Sequence, residues 1–175
     1  PGQEELIVRQ QTMFGHREST AEFSPDRLYR YSLGRQWDEG LPVLWIMCNP
    51  STADDVKLDP TVTRCMNYTK AWGYGALSVG NIFALRSTDP KELYKAQDPV
   101  GPANDDWLCR LAGQAGLVVA AWGNHGLYQR RGVIVRDMLQ ELGCTLYTLG
   151  VGKRGHPKHP LYLSGSIRPV KWELA

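Results

Sequence analysis

The chain has 175 residues, 42% of them apolar, and a formal charge of +2 at neutral pH. That length favours one domain with room for a substantial core, and the composition is that of a globular protein rather than a disordered or fibrous one. No apolar run approaches the roughly 18 residues that cross a bilayer, and the opening PGQEELIVRQQ lacks a basic-then-apolar signal pattern. A cytoplasmic location is therefore expected. The four cysteines (Cys48, Cys65, Cys109 and Cys144) lie far apart and form no CxxC pair. That spacing argues against a zinc ribbon or an iron–sulfur cluster, and such thiols read as small buried hydrophobes.

In chain order, residues 1–20 read as an arm or short amphipathic helix ahead of one domain over 21–175. Leu28–Ser32 and Arg35–Trp37 read as a strand end or hairpin near Gly34. Leu41–Cys48 (LPVLWIMC) is almost wholly apolar, as a strand buried on both faces should be. Asp59-Pro60 opens a helix that runs to Gly73, with Pro at its first position. GALSVGNIFALR then holds a second strand, Ala76–Phe83. DPKELYKA reads as a short helix and GPANDDWLCRLAGQAG as a longer one. Leu117–Gly123 is a third buried strand, and HGLYQRRGVIVRDMLQELG is a long amphipathic helix closed by Gly143. CTLYTLG is a fourth strand.

This β-α-β-α-β-α-β order predicts an α/β fold: a three-layer α/β/α sandwich around a central, mainly parallel four-stranded sheet, with room for an N-terminal edge strand. Each strand ends in a polar cluster: Asn49-Pro50-Ser51, Asn81 to Arg86, Trp122 to His125, and Lys153 to His159. Parallel strands point the same way, so these clusters should meet at one sheet edge, where ligands bind in such folds.

Several chemistries are excluded by absence of their motifs. There is no GxGxxG, no GxxxxGK[ST] and no GxSxG. The HPKH segment has no further ligand at metal spacing, so neither a metal nor a cofactor is expected. What remains is neutral amides, histidines, aromatics and bases. Asn81 offers a donor and an acceptor in one plane, suited to a base edge. Tyr68, Trp72 and Tyr74 offer stacking faces. From Gly150 to Lys171 the chain is basic and free of Asp and Glu, as a segment that follows a phosphate backbone would be.

VLWIMCNPS, GALSVGNIFALR, VVAAWGNHGLYQR and GHPKHPLYLS, taken in order, resemble motifs of the uracil-DNA glycosylase superfamily. The set NPSTADD…WGYG…NIFALR…WGN…HPLYL resembles more closely a bacterial domain family without assigned function, itself similar to a divergent branch of that superfamily. The resemblance implies a monofunctional DNA glycosylase that acts as a monomer on duplex DNA with a flipped-out nucleotide. It implies that Asn49 orients water and that His159 stabilises the departing base anion. Asn81 and Ser51 would read the base, with Tyr68 or Trp72 as aromatic partner. Lys153, Arg154 and Lys158 would hold phosphates, and Pro160, Leu161 and Tyr162 would enter the stack. Asp54, Asp55 or Asp59 would be the base if Asn49 is not.

The chain departs from the superfamily at Met47-Cys48, where small residues are usual, and at His-Pro-Leu-Tyr, where His-Pro-Ser is usual. A substrate other than plain uracil is therefore expected, such as a hydroxymethylated or glucosylated pyrimidine of phage DNA. The rivals are repair of uracil or another deaminated base, a catalytically silent nucleic-acid-binding module, and an enzyme of free nucleosides.

Overall fold

The computed structural model describes residues 8–14, 17–51, 53 and 57–173. Eight strands form one sheet: β1 (Val8–Phe14), β2 (Arg17–Phe23), β3 (Arg30–Gln36), β4 (Val43–Met47), β5 (Ala76–Asn81), β6 (Leu117–Ala120), β7 (Leu146–Thr148) and β8 (Val170–Lys171). Their spatial order is β1-β2-β3-β5-β4-β6-β7-β8. Three α-helices accompany them: α1 (Pro60–Ala71), α2 (Asn104–Gln114) and α3 (Arg131–Glu141). The fold is mixed α/β, as the sequence implies.

The sheet differs from a four-stranded, mainly parallel one. β5, β4, β6 and β7 do pair in parallel. The flanks, however, are antiparallel: β1, β2 and β3 on one side and β8 on the other. Residues 8–14 and 17–20, expected as an arm or helix, are strand. Leu28–Trp37 is not a hairpin about Gly34 but contains a single strand, β3. A Cβ at Gly34 would lie 2.5 Å from Thr20 Oγ1 of β2, so the close approach of neighbouring strands, not a turn, accounts for this glycine.

Strand β4 shows why the core has two halves. Every one of its residues is buried. Val43, Trp45 and Met47 point into a core shared with Val62, Cys65 and Tyr68 of α1. Leu44 and Ile46 point into a second core, with Leu108 and Leu111 of α2 and Val135 and Leu139 of α3. The two-residue period of a strand thus splits one apolar run between two helix layers.

Local chemistry fixes the start of α1. Asp59 caps α1, its Oδ1 accepting from Val62 N at 2.8 Å, and Pro60 occupies the first helical position. The predicted long helix after Trp122 is broken. Gly123–Arg130 is 3₁₀-like, Tyr128 is non-helical, and Gln129 and Arg130 are both left-handed, at φ 52° and 54°. Only then does α3 begin. The predicted helix at DPKELYKA is likewise a 3₁₀ segment, Pro90–Tyr94.

Candidate functional site

A cavity of about 490 Å³ opens at the carboxyl ends of β4, β5 and β6. From the end of β4 it takes Met47, Cys48, Asn49 and Ser51; from β5, Val79 and Asn81; from the segment after β6, Trp122 to His125. The late loop adds His159, Leu161 and Tyr162, and the start of α1 adds Asp59, Thr61 and Val62. The convergence expected from parallel strands therefore occurs, since each strand-end cluster supplies part of the wall.

Asn81 is the most informative member. The residue is 2% exposed, yet among the described residues its Nδ2 has no hydrogen-bond partner. A buried donor left open costs about 1–3 kcal/mol. Its main chain, by contrast, is tightly held. Asn104 Nδ2 donates to Asn81 O at 2.8 Å, and Arg131 Nε donates to the adjacent Ile82 O at 2.7 Å. Arg131 is itself paired with Asp105. The amide is rigidly mounted, faces a cavity and lacks an acceptor.

His159 is fixed differently. Leu161 N donates to its Nδ1 at 3.2 Å, which makes Nδ1 an acceptor and leaves the proton on Nε2. Burial pushes the imidazole below its ordinary range, partly offset by the Asp59 carboxylate. The ring is a neutral Nε2–H donor at neutral pH.

Asn49 is half-buried. Its Nδ2 donates to Ser87 O at 2.9 Å and to Pro50 O at 3.1 Å. The first bond ties the turn after β4 to the chain after β5, the second closes the turn on itself, and together they leave Oδ1 as the acceptor available to a ligand or water. Asp59 uses one oxygen as helix cap and contributes a carboxylate to the cavity wall. Burial pushes the Cys48 thiol up to about 12, so it stays protonated and carries no thiolate chemistry.

Other predicted residues lie elsewhere. Tyr68 and Trp72 do not reach the cavity. With Trp45 they form an aromatic cluster in the α1-side core, with ring centroids 5.4–6.0 Å apart. Their polar ends bind the late loop: Tyr68 Oη donates to Ser164 O at 2.8 Å, and Trp72 Nε1 to Ile167 O at 3.1 Å. They anchor the segment that follows His159 rather than offer a free face. Tyr74 also packs against this core. Lys153 and Arg154 are exposed on the late loop, and Pro160 is buried. Lys158 lines a neighbouring cavity rather than this one. Tyr162 stands 99% exposed at the mouth, in a left-handed conformation with φ 66°. Asp54 and Asp55 fall outside the described residues.

Two wall residues had little signal in the sequence. Arg30 of β3 is 2% exposed and donates from Nη1 to Ala53 O, bracing the loop after Asn49. Nothing in LYRYS marks it. His125 lay in the Trp122–His125 cluster without an assigned role; its Nδ1 is 2.9 Å from Tyr94 Oη. Among the described residues no cluster of three His, Cys, Asp or Glu side chains has a metal-holding arrangement, and no helix is long and apolar enough to cross a membrane.

Fold and cavity thus define an α/β protein whose polar, partly orphaned side chains meet at the carboxyl edge of a sheet, the arrangement of a small-ligand site. A family model described as "Protein of unknown function (DUF1643)" matches residues 30–161, and the chain belongs to that family. The matched span runs from the buried Arg30 to Leu161 and so contains nearly all of the cavity wall. No curated protein and no solved structure matches the chain.

Proposed function

We propose that the protein is a DNA glycosylase that hydrolyses the N-glycosidic bond of a flipped-out, modified pyrimidine and leaves an abasic site. The observation that carries this reading is the orphaned Nδ2 of Asn81, a rigidly mounted planar amide that faces a cavity and lacks only an acceptor such as a base edge presents. Parallel strands with helices on both faces fit the three-layer fold that the resemblance to the uracil-DNA glycosylase superfamily implies.

The roles follow from the chemistry. Breaking the bond develops positive charge on the sugar and negative charge on the base. His159 donates a hydrogen bond from its neutral Nε2–H to the base anion and keeps the proton while it stabilises the developing charge. Asn49 Oδ1 accepts from the attacking water and orients it. Neutral carboxamides make poor bases, so Asp59 is the group that faces the cationic sugar and takes the water's proton. Lys153 and Arg154 hold phosphates through salt-dependent contacts. Tyr162, exposed on a strained backbone, fills the gap that the flipped base leaves.

The cavity admits a base larger than uracil. Even at about 30 Å³ per heavy atom, the share of a water molecule in liquid, the eight heavy atoms of uracil fill roughly 240 Å³. That is half of the 490 Å³ present. The remainder is shared between the deoxyribose that Asp59 faces and any substituent on the base; a hydroxymethylated pyrimidine, and with it a role in defence against phage with such DNA, is the proposed substrate. The test is a gel assay for abasic sites in ordinary, uracil-containing and modified phage DNA, with Asn49→Ala and His159→Ala as controls. Cleavable sites in modified DNA, lost in both variants, are expected. Sites in no DNA, with free nucleosides hydrolysed or DNA merely bound, would overturn the reading.

A further inference from the structure

Beside the main cavity lies a second one of about 300 Å³. The two share Gly123, Asn124 and His159, so the His159 ring stands between adjoining compartments. Their chemistry differs. The second holds Lys158, two imidazoles and the Asn124 carboxamide, and no carboxylate lines it.

His156 is the informative residue here. It is 8% exposed and lines this cavity. Its Nδ1 packs towards Gly126, where a Cβ would approach to 3.0 Å, so Nε2 is the nitrogen on the opposite side of the ring. Lys158 is held in place alongside. Its backbone N donates to Gly150 O at 2.9 Å, and its stem crosses Gly150 at a distance that would put a Cβ 3.5 Å from Cδ. The intervening turn, closed by Gly155 N to Gly152 O and Gly152 N to His156 O, is set by left-handed Gly155 at φ 79°. A short glycine turn therefore brings one ammonium and one imidazole to the same small cavity.

We propose that this second cavity is a phosphate site, in which Lys158 Nζ and His156 Nε2–H bind oxygens of a phosphate group attached to the ligand of the main cavity. The inference goes beyond the glycosylase reading, because the phosphate can come from a DNA backbone or from a free nucleoside monophosphate.

The test follows the His156 ring signals by NMR at fixed pH. Inorganic phosphate is added at constant ionic strength, balanced with chloride. A saturable shift is expected, with affinity at least tenfold weaker in Lys158→Gln, a change at an exposed side chain that leaves the fold intact. No saturable shift, or an equal one in Lys158→Gln, overturns the site. Two duplexes separate the sources: one with a tetrahydrofuran abasic residue, the other with that residue beside a neutral methylphosphonate. A shift with the first alone assigns the phosphate to DNA. A shift with inorganic phosphate and a deoxynucleoside monophosphate but with neither duplex keeps the site and overturns the DNA reading.

Discussion

The molecule has cavities at both ends of its parallel strands, and the one at the amino end is the larger. It measures about 580 Å³, against about 490 Å³ at the carboxyl end. Its walls are the last turns of α2 and α3 and the starts of β6 and β7, built from Ala112, Gly113, Gly116, Leu142, Cys144 and their neighbours. None of its lining residues is charged, and none is a histidine or an amide. The carboxyl-end cavity holds Arg30, Asp59, two histidines and three asparagines. Space alone therefore does not mark the site. The polar side chains that follow the carboxyl ends of the strands do.

If that contrast is correct, the carboxyl-end cavity should trade stability for function and the amino-end cavity should not. The largest effect is expected at Asn81. Asn81→Leu removes an open buried amide, and with it a cost of about 1–3 kcal/mol. The melting temperature should rise by about 2–4 °C for each kcal/mol recovered, while excision falls by about a hundredfold or more. Thermal denaturation beside the abasic-site assay reads both. A variant that is less stable and fully active would remove the main support for the site.

His159 and Asp59 should give the next largest effects. On the proposed glycosylase reading, His159→Gln should lower kcat by about a hundredfold and change the pH dependence. Burial keeps the folded imidazole below its unfolded value. The unfolded chain therefore binds the proton more readily, and stability falls as pH drops below about 6.5 towards the depressed folded value. His159→Gln should flatten that fall, and the acid limb of activity should go with it. His156, lowered by burial and by Arg136, contributes in the same direction and stays in the variant as an internal reference. Asp59→Asn keeps a good helix cap but loses the carboxylate, so excision should fall with little change in melting temperature. Asp59→Ala should lose excision and about 1 kcal/mol of stability besides. Equal activity in Asp59→Asn and the parent would return Asp59 to a purely structural role.

How far the sequence announces all this depends on which physical signal each residue carries. β4 and β6 are legible because burial on both faces demands unbroken apolar runs, and α1 because Asp59-Pro60 is a start signal. The carboxyl-edge amides and His159 are legible through their place after those strands. RESTAEF gives little sign of β2, since an edge-side strand needs no apolar run. HGLYQR reads as helix because its Gln129-Arg130 kink uses residue types that do not advertise a left-handed backbone. Tyr68 and Trp72 have the composition of stacking platforms, and only the packing against Trp45 shows their rings engaged. Arg30 is silent for another reason. Its role rests on reaching Ala53, 23 residues away, and no local pattern encodes such a contact.

The smallest effect is expected at the amino end, and it is the sharpest check on the contrast. Cys144 borders that cavity, half-buried, with its thiol raised by desolvation and therefore protonated at neutral pH. Cys144→Ser changes one atom and leaves the carboxyl-end cavity untouched. Stability should move by less than about 0.5 kcal/mol, and abasic-site formation should be unchanged. Ala112→Val pushes a larger side chain into the same space and should act on stability alone, measured by denaturant midpoint at constant slope. If either substitution changed excision, the two ends would be coupled through β6, whose four residues run from one cavity to the other. The strand would then transmit strain as well as position the residues at its end.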